Sequence, residues 1–322
     1  MRQLKYILIA IIIALLGFLL FYYFSEKKEV TPIATASKND VITLRFGHNT
    51  PENSALHQAS LRFADLVKQK TDGKVFIEVY PSQILGNDHQ MVEMARKGEL
   101  DILLTPTAKI SVAVPSMQYA DLPFYFPTRE DLYAMLDGEP GTMILEDMKA
   151  IGLIGVAFWE NGFKHFTGHM PIKSPEDLQG KKMRVMKSRI IMEQFKSFGA
   201  SPVPIDFHAT KKALEDKIVD GQENPLVAIV SMGFHEVQPH LTLSEHAFLG
   251  YVFSFSDISF SKLPSAIRDI LLQSAKEVTP WERKETKKRE EKLVEIVKAS
   301  GVKVYRLSAQ ERERFSKLVQ HI

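Results

Sequence analysis

Four side chains beside predicted loops, Lys109, Lys164, Arg184 and Asn224, are of the types that together hold an organic anion. Arg184 stands in the stretch GKKMRVMKS, residues 180–188, crowded by Met183, Val185 and Met186. A guanidinium among buried neighbours loses its hydration, a large cost unless an anion meets it. Its planar fork matches a carboxylate through two parallel hydrogen bonds, and a lysine neutralises a second carboxylate as a point charge. Two separated cations therefore suit a dicarboxylate. The same stretch also reads as an ordinary strand edge whose arginine faces water, and singly each of these residues has such a surface reading.

Chemistry of other kinds finds little support. There are no cysteines, which removes disulfides, thiolate metal sites, cysteine nucleophiles and a lipid-modified anchor together. No GxSxG elbow, GxxxxGK[ST] phosphate loop, GxGxxG or HExxH occurs. His165 and His169 are four apart, but Gly168 and the strand-like surroundings argue against a helical zinc pair. Neither an enzyme nor a cofactor is expected. The chain holds 41 basic and 39 acidic residues, and the excess of two lies within residues 1–36. A neutral body excludes a nucleic-acid surface.

The elements that would position these groups alternate. With 322 residues, 45% hydrophobic, the chain can build two cores. Residues 41–47 read as a half-buried strand, a helix follows from Asn53, and residues 75–80 form a second strand closed by Pro81. Asn87 or Asp88 caps a helix ending at Gly98, and residues 101–104 are a third strand. Strand, helix, strand with short connections predicts a parallel sheet. Thr105, Thr107 and Lys109 then lie just beyond a strand's carboxyl end, where open α/β sheets bind ligands, although a capped helix start explains them equally. Asn49, just after the first strand, and Trp159, at the end of the strand that delivers ENGFKH, residues 160–165, are further candidate ligand contacts.

A second series begins at Ser174 and runs through Arg184 and a helix from Ser188 to VDGQENP, which closes it. Residues 241–256 are strand-rich and return the chain to its first half. Pro264 starts a helix through Ala275, and Thr279, Pro280, Trp281 and Glu282 make a capping box opening a separate charged helix to Ala299. Residues 302–307 read as a strand, and Ser308 with Glu311 caps the last helix. At the N-terminus, an uncharged apolar run over residues 6–24 is just long enough to span a bilayer. It reads as an anchor or a signal segment, with an A-x-A-like site at residues 34–36, followed by a polar linker over residues 29–40. The body is expected outside the cytoplasm.

The succession LPFYF, ENGFKH, PIKSPEDLQGKKMRV, FGASPVPIDF, VDGQENP closely resembles the DctP-type solute-binding proteins of TRAP transporters, the tripartite ATP-independent importers of organic acids. The resemblance covers residue 41 to the C-terminus. It implies an α/β fold of two lobes like that of periplasmic binding proteins, with a ligand cleft between the lobes and a long connecting helix. One lobe would comprise residues 41–161 and 250–281, the other 162–249 and 282–322. It further implies that Arg184 pairs with a ligand carboxylate, Asn224 hydrogen-bonds the ligand, an aromatic at Phe207 packs on it, and His246 lies near. Many relatives place an arginine where Lys164 stands. That lysine, with Lys109 in TPTAK, resembles the branch for C4-dicarboxylates such as malate, fumarate and succinate, with binding of a sugar acid or ligand presentation to a membrane kinase as alternatives. Two segments depart from the family pattern, residues 208–211 and 54–57. The implied partners are an organic acid and TRAP membrane permease subunits, and a monomer is expected.

Overall fold

In a computed structural model, residues 41–322 are described; the anchor, signal and linker readings lie outside them. The chain begins β1 (Ile42–His48), α1 (Ala55–Lys70), β2 (Val75–Tyr80), α2 (Asp88–Arg96), β3 (Ile102–Pro106), α3 (Thr107–Ile110), α4 (Arg129–Asp137) and β4 (Leu153–Phe163). It continues β5 (His165–Gly168), β6 (Lys182–Val185), α5 (Arg189–Ser197), β7 (Ser201–Pro204), β8 (Gly221–Asn224), α6 (Leu226–Ser231) and β9 (His240–Leu243). It closes with β10 (Phe248–Ser256), α7 (Ser265–Ala299), β11 (Lys303–Arg306) and α8 (Ala309–Leu318). Among the described residues no helix is long and apolar enough to cross a membrane.

The strands form two mixed sheets, one per lobe: β2-β1-β3-β10-β4 and β11-β9-β5-β8-β6-β7. β1 is parallel to β2 and β3, as alternation predicted, while β10 returns from the second half and lies antiparallel between β3 and β4. All nine residues of β10 are buried, so both faces of its sheet are covered. Leu249, Tyr251, Phe253 and Phe255 face one core, and Phe248 and Val252 the other, the period of two that a strand imposes. Phe253 meets Phe46, Phe63 and Trp159 with ring centroids 5.2, 4.9 and 5.0 Å away.

The segment VDGQENP holds a central strand: β8, its residues 221–224, is buried throughout and pairs with β5 and β6. One expectation is corrected. The charged helix does not start at Thr279, because α7 runs unbroken through Pro280. A proline there removes one backbone donor and crowds the preceding turn. Yet Leu271, Ala275, Val278, Glu282 and Thr286 continue one buried face across it, and that packing outweighs the local capping pattern. Thr279 supports the turn: its hydroxyl donates to the Ala275 carbonyl (3.0 Å) and accepts the Trp159 indole N–H (3.0 Å).

Candidate functional site

Arg184 is positioned by the pleat of β6. Met183 and Val185 enter the core, so the residue between them projects from the opposite face. It is 1% exposed. Its Nε and Nη2 both donate to the Ile205 carbonyl, at 3.0 and 2.8 Å. A guanidinium has five N–H donors; using that side leaves the end-on pair, one hydrogen on each Nη, aligned as a carboxylate requires. Among the described residues no acid lies within ion-pair distance of it. Burial lowers its pKa to about 10, and the more distant charges of Glu223, Asp206 and Asp88 oppose that fall.

Lys164, at the crossover from β4 to β5, is fully buried and its Nζ donates to Glu223 Oε1 at 2.6 Å. Its charge is thus met inside the protein. The other Glu223 oxygen accepts from His246 Nε2 (2.7 Å) and from the Gln194 amide of α5 (3.1 Å). Burial alone would raise the Glu223 carboxyl, but the Lys164 ammonium and the His246 hydrogen bond outweigh it and hold it at about 2. His246 stacks on Phe166 (4.0 Å) and its Nδ1 meets the Ser244 hydroxyl at 2.7 Å. Burial lowers its pKa, so the neutral ring accepts from Ser244 and donates to Glu223. Thr107 does not point at this cluster as a donor to a ligand: its hydroxyl lies 3.1 Å from both Asp121 Oδ1 and the Gly250 carbonyl. Asp121 is itself buried, and desolvation pushes it to about 7.

The facing wall comes from the other lobe. The Asn87 side chain and Gln90 form the capping box of α2, which releases the Asp88 carboxylate for tertiary contacts. Asn49 donates to Asp88 Oδ1 (2.8 Å) and accepts from the Tyr251 hydroxyl (2.9 Å). Lys109, on α3, has its Nζ 3.9 Å from Asp88 Oδ2. Burial raises Asp88 to about 6 against the attraction of Lys109. Asn87, Asp88 and Lys109 line a groove of about 530 Å³ whose opposite side is Lys187, Pro204, Ile205 and Asp206. Ile205, whose carbonyl orients Arg184, thus lines the same groove as Lys109, with Arg184 itself behind that wall.

Asn224 lies in β8, two residues beyond Gln222, the register partner of Arg184, and its amide donates to the Gln222 side chain. Phe207 packs with Phe234 (6.2 Å) and is 8% exposed. Trp159 stands apart, in the core with its indole committed to Thr279. Sequence reasoning missed Glu223, Asp121, Asp206 and Tyr251, and saw Asp88 only as a cap. An acid directly before Asn224 in the same motif was the available signal for Glu223.

The profile of the family described as "Bacterial extracellular solute-binding protein, family 7" (DctP) matches residues 46–322. The C4-dicarboxylate-binding protein DctB of Bacillus subtilis is 35% identical over 315 residues, 96% of this chain and 90% of that protein. A TRAP periplasmic solute-binding protein of Sulfurospirillum deleyianum, solved with succinate, superposes with a TM-score of 0.83 at 34% identity, covering 87% of this chain and 92% of that one. The sugar acid binding protein of Advenella mimigardefordensis, solved with galactonate, gives 0.84 at 35% identity, covering 87% and 91%. With two lobes, a long connecting helix and a match over nearly all of its described length, the chain belongs to the DctP family of bacterial extracellular solute-binding proteins, the TRAP type.

Proposed function

We propose that this protein captures a C4-dicarboxylate such as malate, fumarate or succinate outside the cytoplasm and passes it to TRAP membrane permease subunits. The observation that carries this reading is Arg184, a buried guanidinium with an end-on donor pair and, among the described residues, no acid within ion-pair distance. One ligand carboxylate takes that pair. Lys109 faces the second across the groove, since the charge of Lys164 is already balanced by Glu223. Asn224 hydrogen-bonds the ligand and Phe207 packs against it, while His246 and Lys164 hold Glu223 in place beside Arg184. The names of the Bacillus subtilis and Sulfurospirillum deleyianum relatives support the same ligand class. The lobes are drawn as residues 41–161 with 250–281 and 162–249 with 282–322, and their closure over the ligand excludes water and strengthens each charge pair.

A second reading has its own support. Asp88 and Asp206 lie in the cleft as acceptors, which suits ligand hydroxyls, and a galactonate-bound relative is equally similar. A thermal-shift series on the full chain separates the two, because binding stabilises the folded state with the logarithm of ligand excess. The proposal expects the largest rise in Tm with succinate, fumarate and malate. A rise confined to galactonate and other sugar acids would replace the ligand class while leaving the Arg184 contact intact.

A further inference from the structure

The two lobes are joined by the β4–β5 crossover, the β9–β10 crossover and α7. The first two are hydrogen-bonded to each other, Lys164 N–H donating to the Ala247 carbonyl at 2.7 Å. Against the back of this hinge α7 lays Glu282, Thr286 and Glu290, spaced four apart and so on one helical face. Each meets β4 where it is bent. In the β4–β10 ladder Leu249 pairs with Gly162 and Gly250 with Glu160, leaving Asn161 as the extra residue of a bulge. Gly162 has φ +112°, and a Cβ there would collide with Glu290 Oε1. Glu282 Oε2 accepts the Glu160 N–H at 2.8 Å.

Thr286 has a single hydroxyl proton between two acceptors. Its hydroxyl lies 2.8 Å from Glu282 Oε1 and 3.3 Å from the Glu160 carbonyl, and one O–H cannot donate to both. A proton on Glu282 completes the chain: Glu282 donates to Thr286, and Thr286 donates to Glu160. Charge counting agrees. Arg129 pairs with Glu160 (3.3 Å) and with Glu290, and among the described residues Glu282 has no cation within ion-pair distance, Arg283 acting on it only from farther off. Tyr133 donates to Glu160, and Arg283 is spent on Asp137 (2.6 Å) and the Phe158 carbonyl. Lys287, Glu245 and His165 stand around a groove of about 420 Å³ that reaches Arg129 and Glu290 from both lobes, so the cluster has a path to water.

We propose that a proton held on Glu282 latches α7 to the bent segment of β4, and that its loss at alkaline pH loosens the hinge and changes the spread of the lobes. Burial, with the neighbouring Glu160 charge, pushes Glu282 to about 8, and burial pushes Glu290 to about 7. Both folded values exceed the ordinary carboxyl value of 4.5, so the folded chain holds protons that the unfolded chain has released. The stabilisation is complete below 4.5 and is lost as pH rises through the folded pKa values towards 8. The latch is independent of which acid occupies the cleft.

The chain has no cysteines, so spin labels can be placed at Val112→Cys and His208→Cys, exposed positions on opposite lobes. Distances between them, measured without ligand from pH 6.5 to 9.0, should shift with a midpoint near 8. Glu282→Gln, a neutral isostere that can still donate to Thr286, should hold the pH 6.5 distribution throughout. Melting gives the second readout: the Tm of the unlabelled chain should fall over this range, and that of Glu282→Gln should fall by less, keeping only the loss that Glu290 and Asp121 bring near pH 7. A wild-type distribution independent of pH, or the same shift in Glu282→Gln, overturns the proposal. Should Glu282→Gln fail to fold, the wild-type distance titration decides alone.

Discussion

At the scale of single residues, the two buried cations Lys164 and Arg184 have opposite circumstances. Lys164 has a carboxylate at 2.6 Å, whereas Arg184 has only a carbonyl. Removing one member of a buried pair strands the other charge, at about 3–5 kcal/mol. Lys164→Met should therefore lower stability by roughly that amount in urea unfolding. Adding Glu223→Gln should restore part of it, so that the double variant is less damaged than the sum of the singles; strict additivity would mean that the pair is not coupled. Asp88→Asn tests the facing wall. It removes the carboxylate beside Lys109, so succinate affinity should hold or rise while affinity for polyhydroxy acids falls. A fall for succinate would make Asp88 itself a ligand contact for diacids.

Elements explain why those residues sit where they do. β6 gives Arg184 its direction through the alternation of Met183 and Val185, and that alternation is visible in the sequence. α7 is the contrary case. Thr279, Pro280, Trp281 and Glu282 carry a helix-start pattern, but a local pattern is worth about 1 kcal/mol and a buried helical face is worth several times more. Nothing short of knowing what Val278 and Glu282 touch could have settled it. Thr279→Val keeps the shape of the side chain and deletes the acceptor of the Trp159 indole N–H. A buried donor left unpaired costs about 1–3 kcal/mol, and urea unfolding should show a loss of that size. Unchanged stability would mean that the indole bond contributes nothing.

Across the whole molecule, the two-lobe plan was legible because the strand and helix periods alternate twice and a long motif series orders them. Arg184, Lys109 and Lys164 stood out in the sequence, since arginine and lysine beside apolar runs are conspicuous. The acids were not: Glu223 sits in Gln-Glu-Asn-Pro, and nothing in that stretch tells that β5 and β6 flank it. For the same reason Lys164 read as a free charge, because its counter-ion is 59 residues away in sequence. Ligand class depends on exactly such long-range pairs, and Lys109 with Asp88 now bears most of that question.

The central claim is that a buried, acid-free guanidinium takes the carboxylate of a small organic acid. Calorimetric titration of the full chain with succinate and L-malate, in parallel with Arg184→Ala, tests it most directly. Loss of a bidentate charged pair in a closed cleft is worth about 3–5 kcal/mol, roughly two to three and a half powers of ten in Kd. The account predicts one-to-one binding by the wild type and a loss of at least about 100-fold in the variant. Equal affinity in the two proteins, or no heat from any carboxylic acid tried on the wild type, would contradict it.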